Sequence, residues 1–253
     1  MKTVLKTIDL CKSFGGLVVT QNINLSLESG ARHALIGPNG AGKTTLINQL
    51  TGVLRPSSGS IWLDGEDISR MRPYDRVRRG LARTFQINSL FPNLSPLEAV
   101  TATICERQRD HLSLLDRRFF RLTRRRAEID EAYRLLERLN LADDCMRDTR
   151  ELSYGKQRLL EIALALAVRP KVLLLDEPAA GVPEGESDEL LSVLAELPKD
   201  ISILLIEHDM SLVFRFAERI TVLVSGIELV SGSPAEIAAN PRVQEVYLGK
   251  HHD

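Results

Sequence analysis

GPNGAGKTT, running from Gly37 to Thr45, fits G-x-x-x-x-G-K-[ST] in full, with Gly37, Gly42, Lys43 and Thr44 at the fixed places. The run before it, ARHALI from Ala31 to Ile36, reads as a buried strand, and TTLINQLTG after it opens a helix. That strand–loop–helix context separates a phosphate loop from a glycine-rich turn. Glycines let successive backbone N–H groups point inward at phosphate oxygens, and the helix N-terminus adds its positive dipole. Gly37, Pro38, Asn39, Gly40, Ala41, Gly42, Lys43, Thr44 and Thr45 are therefore expected to line the phosphates of a nucleoside triphosphate. Lys43 would reach the β- and γ-phosphates, and the Thr44 hydroxyl would ligate Mg²⁺.

Working outward, the chain divides by texture. TVLKTIDL, NINLSLES, ARHALIG and SIWLDGEDI are short apolar or alternating runs broken by turn residues, as strands are. Between about Leu94 and Ala167 the apolar spacing becomes helical in SPLEAVTATI, RAEIDEAYRLLERLNL and GKQRLLEIALALAV. Ser95, then Pro96, with Glu98 three residues on, marks a capped helix start. KVLLLDE and ISILLIEH are continuous apolar runs suited to parallel strands covered on both faces, with helical EGESDELLSVLAEL between them. TVLVSGIELVSG reads as a hairpin turning at Ser-Gly. The expected fold class is α/β: a nucleotide-binding core interrupted by a helical insertion.

With 253 residues, 43% of them hydrophobic, the chain can bury a large core. A net charge of −1 argues against an electrostatic nucleic-acid binder. No apolar run approaches the ~20 residues that cross a bilayer, and the N-terminal stretch lacks a signal-peptide core. Cys11, Cys105 and Cys145 are isolated, without metal spacing, and read as thiols of a reducing cytosol.

KVLLLDEP, Lys171 to Pro178, has the form of a Walker B strand. It would deliver Asp176 to the Mg²⁺ shell and Glu177 to the water that attacks the γ-phosphate. LSYGKQ, Leu152 to Gln157, opens a helix a short distance upstream. A Ser-x-Gly at a helix start is by itself an ordinary cap. Its position decides otherwise, and here the chain resembles the ATP-binding cassette (ABC) ATPases, over nearly its whole length.

That resemblance implies a single cassette domain over residues 1–253: a RecA-like parallel-sheet core with an N-terminal antiparallel β subdomain, about 1–87 and 168–253, and a helical signature subdomain, about 88–167. It implies that Ser153, Gly155 and Gln157 of the signature bind the γ-phosphate held by an opposite subunit, with Tyr154 and Lys156 departing from the usual LSGGQ. Lys156 would add positive charge near that phosphate. Gln86, in RTFQ, matches the glutamine that helps coordinate Mg²⁺ and relays nucleotide state to a transmembrane partner. His208, in LLIEHDM, matches the switch histidine, and Phe14, in CKSFGG, the aromatic that stacks on adenine. The implied catalytic set is Glu177, His208 and Lys43; the implied metal set is Thr44, Gln86 and Asp176. One departure is AAGV leading into Pro183, where an aspartate is usual, which leaves backbone carbonyls and neighbouring polar groups to link the two sites of a dimer.

GLARTFQ, FPNLSPLEAV, the LSYG signature, DEPAAG and the terminal VQEVYLGK further resemble the ATPases of branched-chain amino-acid importers. The implied protein hydrolyses ATP with Mg²⁺ and pairs with a second, identical or related, cassette subunit. It would sit in the cytoplasm against the inner face of the cell membrane, on permease subunits served by a periplasmic solute-binding protein. No nucleic-acid partner is expected. The basic stretch from Arg107 to Asp130, with Arg117, Arg118, Arg121, Arg124, Arg125 and Arg126, reads as a solvated helix face with Phe119 and Phe120 turned inward; contact with anionic headgroups or a membrane partner is its alternative. A soluble cassette ATPase acting on nucleic acid or the ribosome is the rival class, but such chains usually carry two cassettes or a coiled coil. A GTPase would need Asn-Lys-x-Asp, which is absent.

Overall fold

A computed structural model describes residues 2–84, 90–108 and 125–248. Gln86 and the stretch holding Arg117, Arg118, Phe119, Phe120, Arg121 and Arg124 lie outside the described residues.

The chain opens with β1 (Thr3–Phe14), β2 (Leu17–Ile23), β3 (Ser26–Glu28) and β4 (Arg32–Ile36), and the phosphate loop then leads into α1 (Lys43–Thr51). β5 (Ser58–Leu63) and β6 (Glu66–Asp67) turn at Asp64-Gly65, both at positive φ, followed by α2 (Pro73–Arg78) and β7 (Leu81–Arg83). The helical run comprises α3 (Pro96–Gln108), α4 (Arg126–Arg138) and α5 (Tyr154–Ala167). β8 (Val172–Asp176), α6 (Glu184–Ala195), β9 (Ser202–Ile206) and α7 (Met210–Phe216) restore the alternation. β10 (Arg219–Val224), β11 (Ile227–Gly232), α8 (Pro234–Ala238) and α9 (Pro241–Leu248) complete the described elements.

Two compact units emerge. The first comprises Met1–Arg83, Lys171–Glu177 and Pro198–Asp253. It holds a six-stranded sheet ordered β11-β10-β4-β9-β8-β7, in which every pairing from β10 to β7 is parallel. β4, β8 and β9 are buried at every residue, so their sequences show no alternation. β10 and β11 form the expected hairpin, turning at Ser225 and Gly226, both in the left-handed region that suits the twist of a two-residue turn. The second sheet of this unit is antiparallel, β2-β1-β5-β6, with β3 also on β1. Leu5, Leu10, Leu27 and Ile61 from its strands share one core with Leu35, Leu46, Leu174 and Leu204.

The second unit comprises Thr84–Pro170 and Pro178–Leu197 and is helical in its described part. α3 starts as its sequence requires. The Ser95 N–H donates to the Glu98 carboxylate at 2.9 Å, and the Glu98 N–H donates back to Ser95 Oγ at 3.3 Å. Arg107 of α3 donates both guanidinium nitrogens to Glu131 of α4 at 2.9 Å and one to the Ala167 carbonyl at the end of α5. One arginine thus ties three helices together.

Candidate functional site

The first unit gathers most of the expected nucleotide-binding residues at one end of its parallel sheet. β4 ends at Ile36 and the chain turns through Gly37 to Gly42 before α1 begins at Lys43. Gly42 adopts φ 96°, and the α1 hydrogen bonds begin at once, with Leu46 N–H on the Gly42 carbonyl at 2.9 Å. A Cβ on Gly37 would lie 2.1 Å from the Leu223 carbonyl oxygen, and one on Gly42 2.7 Å from that of Val19. The loop is therefore seated against neighbouring backbone where no side chain fits. Its own carbonyls hold the Lys43 ammonium, at 2.5 Å to Gly37 and 3.1 Å to Pro38. Burial lowers the pKa of Lys43, while the nearby Glu177 and Asp176 carboxylates work against that shift. Thr44 is exposed and Thr45 half-buried on the first turn of α1.

β8 carries Asp176 to the same end. Its buried carboxylate accepts from Arg83 Nη2 at 2.7 Å, while Arg83 Nη1 reaches Asn48 Oδ1 of α1, also at 2.7 Å. Arg83, within RTFQ, has no role legible in the sequence, because a partner 93 residues away leaves no local signal. Glu177 follows at φ 47°, a left-handed conformation unusual for glutamate, and its N–H is held by the Ile206 carbonyl at 2.9 Å. That turn leaves Glu177 Oε1 4.0 Å from His208 Nδ1. The His208 ring is largely exposed, also 3.7 Å from the buried Glu207 carboxylate. Asp209 then caps α7, accepting from the Ser211 and Leu212 N–H groups, and those bonds, Ser211's hydroxyl first, lower its pKa. Phe14 ends β1 with its ring half exposed and the Lys12 ammonium 5.0 Å from the ring centroid.

Sequence reasoning also missed the C-terminal helix. α9 and the β10–β11 turn border an open groove of about 710 Å³ against Pro38 and Asn39, with Arg242, Glu245 and Val246 on its α9 side. Burial pushes the nearby Tyr247 phenol up to about 12, tempered by the Gly37 backbone.

The second unit bears the signature. Ser153 caps α5 by accepting the Lys156 N–H at 3.4 Å. The Gly155 N–H and the Ser153 hydroxyl both donate to Glu186 Oε2 of α6, at 2.7 and 3.1 Å. The Lys156 ammonium is turned onto the buried Asp144 carboxylate, which also pairs with Arg147 at 3.0 Å. Gln157 donates to the Leu152 and Thr149 carbonyls at 3.1 and 3.4 Å. Tyr154 lays its ring under the Arg158 guanidinium, 5.0 Å away, and accepts from it at 2.6 Å. Pro183 caps α6 with its carbonyl, which takes the Glu186 and Ser187 N–H groups at 3.0 Å each.

The family described as ABC transporter matches residues 20–180, and that described as branched-chain amino acid ATP-binding cassette transporter matches residues 229–253. The chain is 39% identical to the high-affinity branched-chain amino acid transport ATP-binding protein BraF of Pseudomonas aeruginosa, over 98% of this chain and 99% of that protein. It is 40% identical to the high-affinity branched-chain amino acid transport ATP-binding protein LivG of Escherichia coli, over 95% of this chain and 96% of that protein. Among solved structures, the ADP conformation of MJ1267, an ATP-binding cassette of an ABC transporter, superposes with a TM-score of 0.85 at 30% identity, over 99% of this chain and 100% of that one. The cassette cbiO1 from Clostridium perfringens gives a TM-score of 0.80 at 26% identity, over 99% and 97%.

Proposed function

Because the chain belongs to the ABC transporter family as an ATP-binding, ATP-hydrolysing cassette, we propose that it energises the import of branched-chain or other hydrophobic amino acids. The observation that carries the chemistry is the convergence of a glycine cradle, a buried ammonium, two carboxylates and an imidazole at one end of the parallel sheet. Near-full-length likeness to amino-acid transport cassettes supports the solute class.

The chain's own residues divide the work. The phosphate loop's N–H groups and the α1 N-terminus receive the β- and γ-phosphates, and Lys43 moves from its loop carbonyls onto phosphate oxygens. Glu177 orients and polarises the in-line water, with His208 beside it to steady the γ-phosphate. The exposed Phe14 ring stacks on adenine. Thr44 and Asp176, with Gln86 as a further oxygen by resemblance, would hold Mg²⁺; a hydroxyl and a carboxylate suit a hard cation that keeps several waters. When bound, that ion neutralises charge on the phosphates.

Ser153, Gly155 and Gln157 act in trans, closing over the γ-phosphate held by a second cassette subunit, identical or related. Phosphoryl transfer depends on positioning and charge neutralisation, so the isolated chain is slow until that signature arrives. No described helix is long and apolar enough to cross a membrane. We place the chain peripherally on the cytoplasmic face, on permease subunits fed by a periplasmic binding protein.

Glu177→Gln should retain ATP binding and lose hydrolysis by roughly a hundredfold or more; turnover near that of the unaltered chain would remove Glu177 from its role. Reconstituted with its permease subunits in vesicles, the chain should drive ATP-dependent uptake of leucine, isoleucine or valine. Hydrolysis and uptake that ignore all three would overturn the solute class.

A further inference from the structure

The donors assigned above to the partner's γ-phosphate already hold an anion. Glu186, on the first turn of α6, brings Oε2 to the Gly155 N–H at 2.7 Å and to the Ser153 hydroxyl at 3.1 Å. These are a main-chain N–H on the first turn of α5 and the hydroxyl of its N-cap, where the helix dipole favours negative charge. Approach this close requires Gly155 to be glycine, because a Cβ there would lie 2.2 Å from the same carboxylate oxygen. Lys156, the cation nearest in sequence, is engaged with Asp144 and leaves the carboxylate to these neutral donors.

We propose that Glu186 is a built-in occupant of the signature's anion seat, an autoinhibitory contact that the γ-phosphate must displace before the two cassettes close. This rests on the reading that Ser153 and Gly155 act in trans. A carboxylate and a phosphate cannot share one N–H and one hydroxyl, and each repels the other. The seat is therefore open for only a fraction of the time without ATP, and the apparent affinity of closure is reduced by that fraction. The N–H and hydroxyl of this helix end are kept satisfied meanwhile, so a resting cassette does not pair on weak anions. Triphosphate overcomes the block because it brings more charge and a second set of contacts on the opposite subunit.

The test uses the full chain in a Glu177→Gln background, alone and mixed with the related cassette of its transporter. Dimer formation is followed by light scattering across an ATP titration. Glu186→Gln keeps an oxygen that can accept the Gly155 N–H but removes the charge, and Glu186→Ala empties the seat. Both should lower the ATP concentration at half-dimerisation, on the order of three- to tenfold, with Ala at least as strong as Gln. Monomer ATP affinity should stay constant, since Glu186 is outside the phosphate loop.

A helix-stabilising role alone predicts a different pattern: Gln neutral, Ala requiring more ATP. That pattern, or no shift in either variant, overturns the proposal while leaving the trans sandwich intact. Dimers in the Glu186 variants but not in their parent support it. No ATP-dependent dimer from any chain, alone or mixed with the related cassette, overturns the sandwich and the proposal together.

Discussion

Gly42 stands at the point where phosphate loop becomes helix, at φ 96° with the Val19 carbonyl 2.7 Å from any added Cβ. Gly42→Ala should therefore strain the loop by about 1–3 kcal/mol and weaken ATP binding more than it weakens folding. Isothermal titration with ATP, set beside urea unfolding, separates the two; an unchanged Kd would contradict the close seating of the loop. The need for glycine there was legible in the motif, but the Val19 backbone that enforces it was not. Arg83 makes the same point for charge. Its bridge from Asn48 to Asp176 orients a proposed metal ligand, yet it joins β7, α1 and β8, whose arrangement in space must be known first. Glu186 was likewise hidden, since only packing of α6 on α5 brings its carboxylate to Gly155.

At the level of elements, periodicity and caps carried most of the information. α3 begins at Pro96 behind the Ser95–Glu98 capping box, as the sequence implied. Ser95→Ala removes the acceptor for an orphan N–H and should cost about 1 kcal/mol of stability. Chemical denaturation should register that loss with the slope unchanged, and a null effect would mean water replaces the hydroxyl without penalty. An equivalent signal, Ser233 followed by Pro234 and Glu236, starts α8 with a full capping box and was available in the sequence but unread. β7 is a different case. Three residues, Leu81 to Arg83, carry no period of their own and become a strand only by parallel pairing with Val172 to Leu174. α7 is short too, and its start depends on Asp209 folding back on two N–H groups.

For the molecule as a whole, stability should depend on pH through a buried histidine in the parallel sheet. His33 lies on β4 between β9 and β10, its Nε2 2.8 Å from Thr221 Oγ1, and burial first, then Arg219, holds its pKa down near 4. The unfolded chain protonates this residue near pH 6.5 and the folded one does not. Its contribution is present above that pH and is lost as pH falls towards 4, by about 2 kcal/mol at pH 5. Unfolding midpoints at pH 7 and pH 5 should differ less in His33→Gln than in the unaltered chain; an identical pH slope would show that His33 already titrates normally. What the sequence alone determined was the chemistry and class of this protein: a phosphate loop, an acidic strand end and a signature, each a local pattern whose residue types are dictated by short-range geometry. Buried strands and amphipathic helices were legible for the same reason, as solvent exclusion writes itself into consecutive residues. Tertiary structure alone decided the sheet order, the Arg83 bridge, the α9 border of the phosphate loop and the carboxylate on the signature. Those are contacts between segments far apart in the chain, and nothing local in a sequence encodes which distant group will arrive.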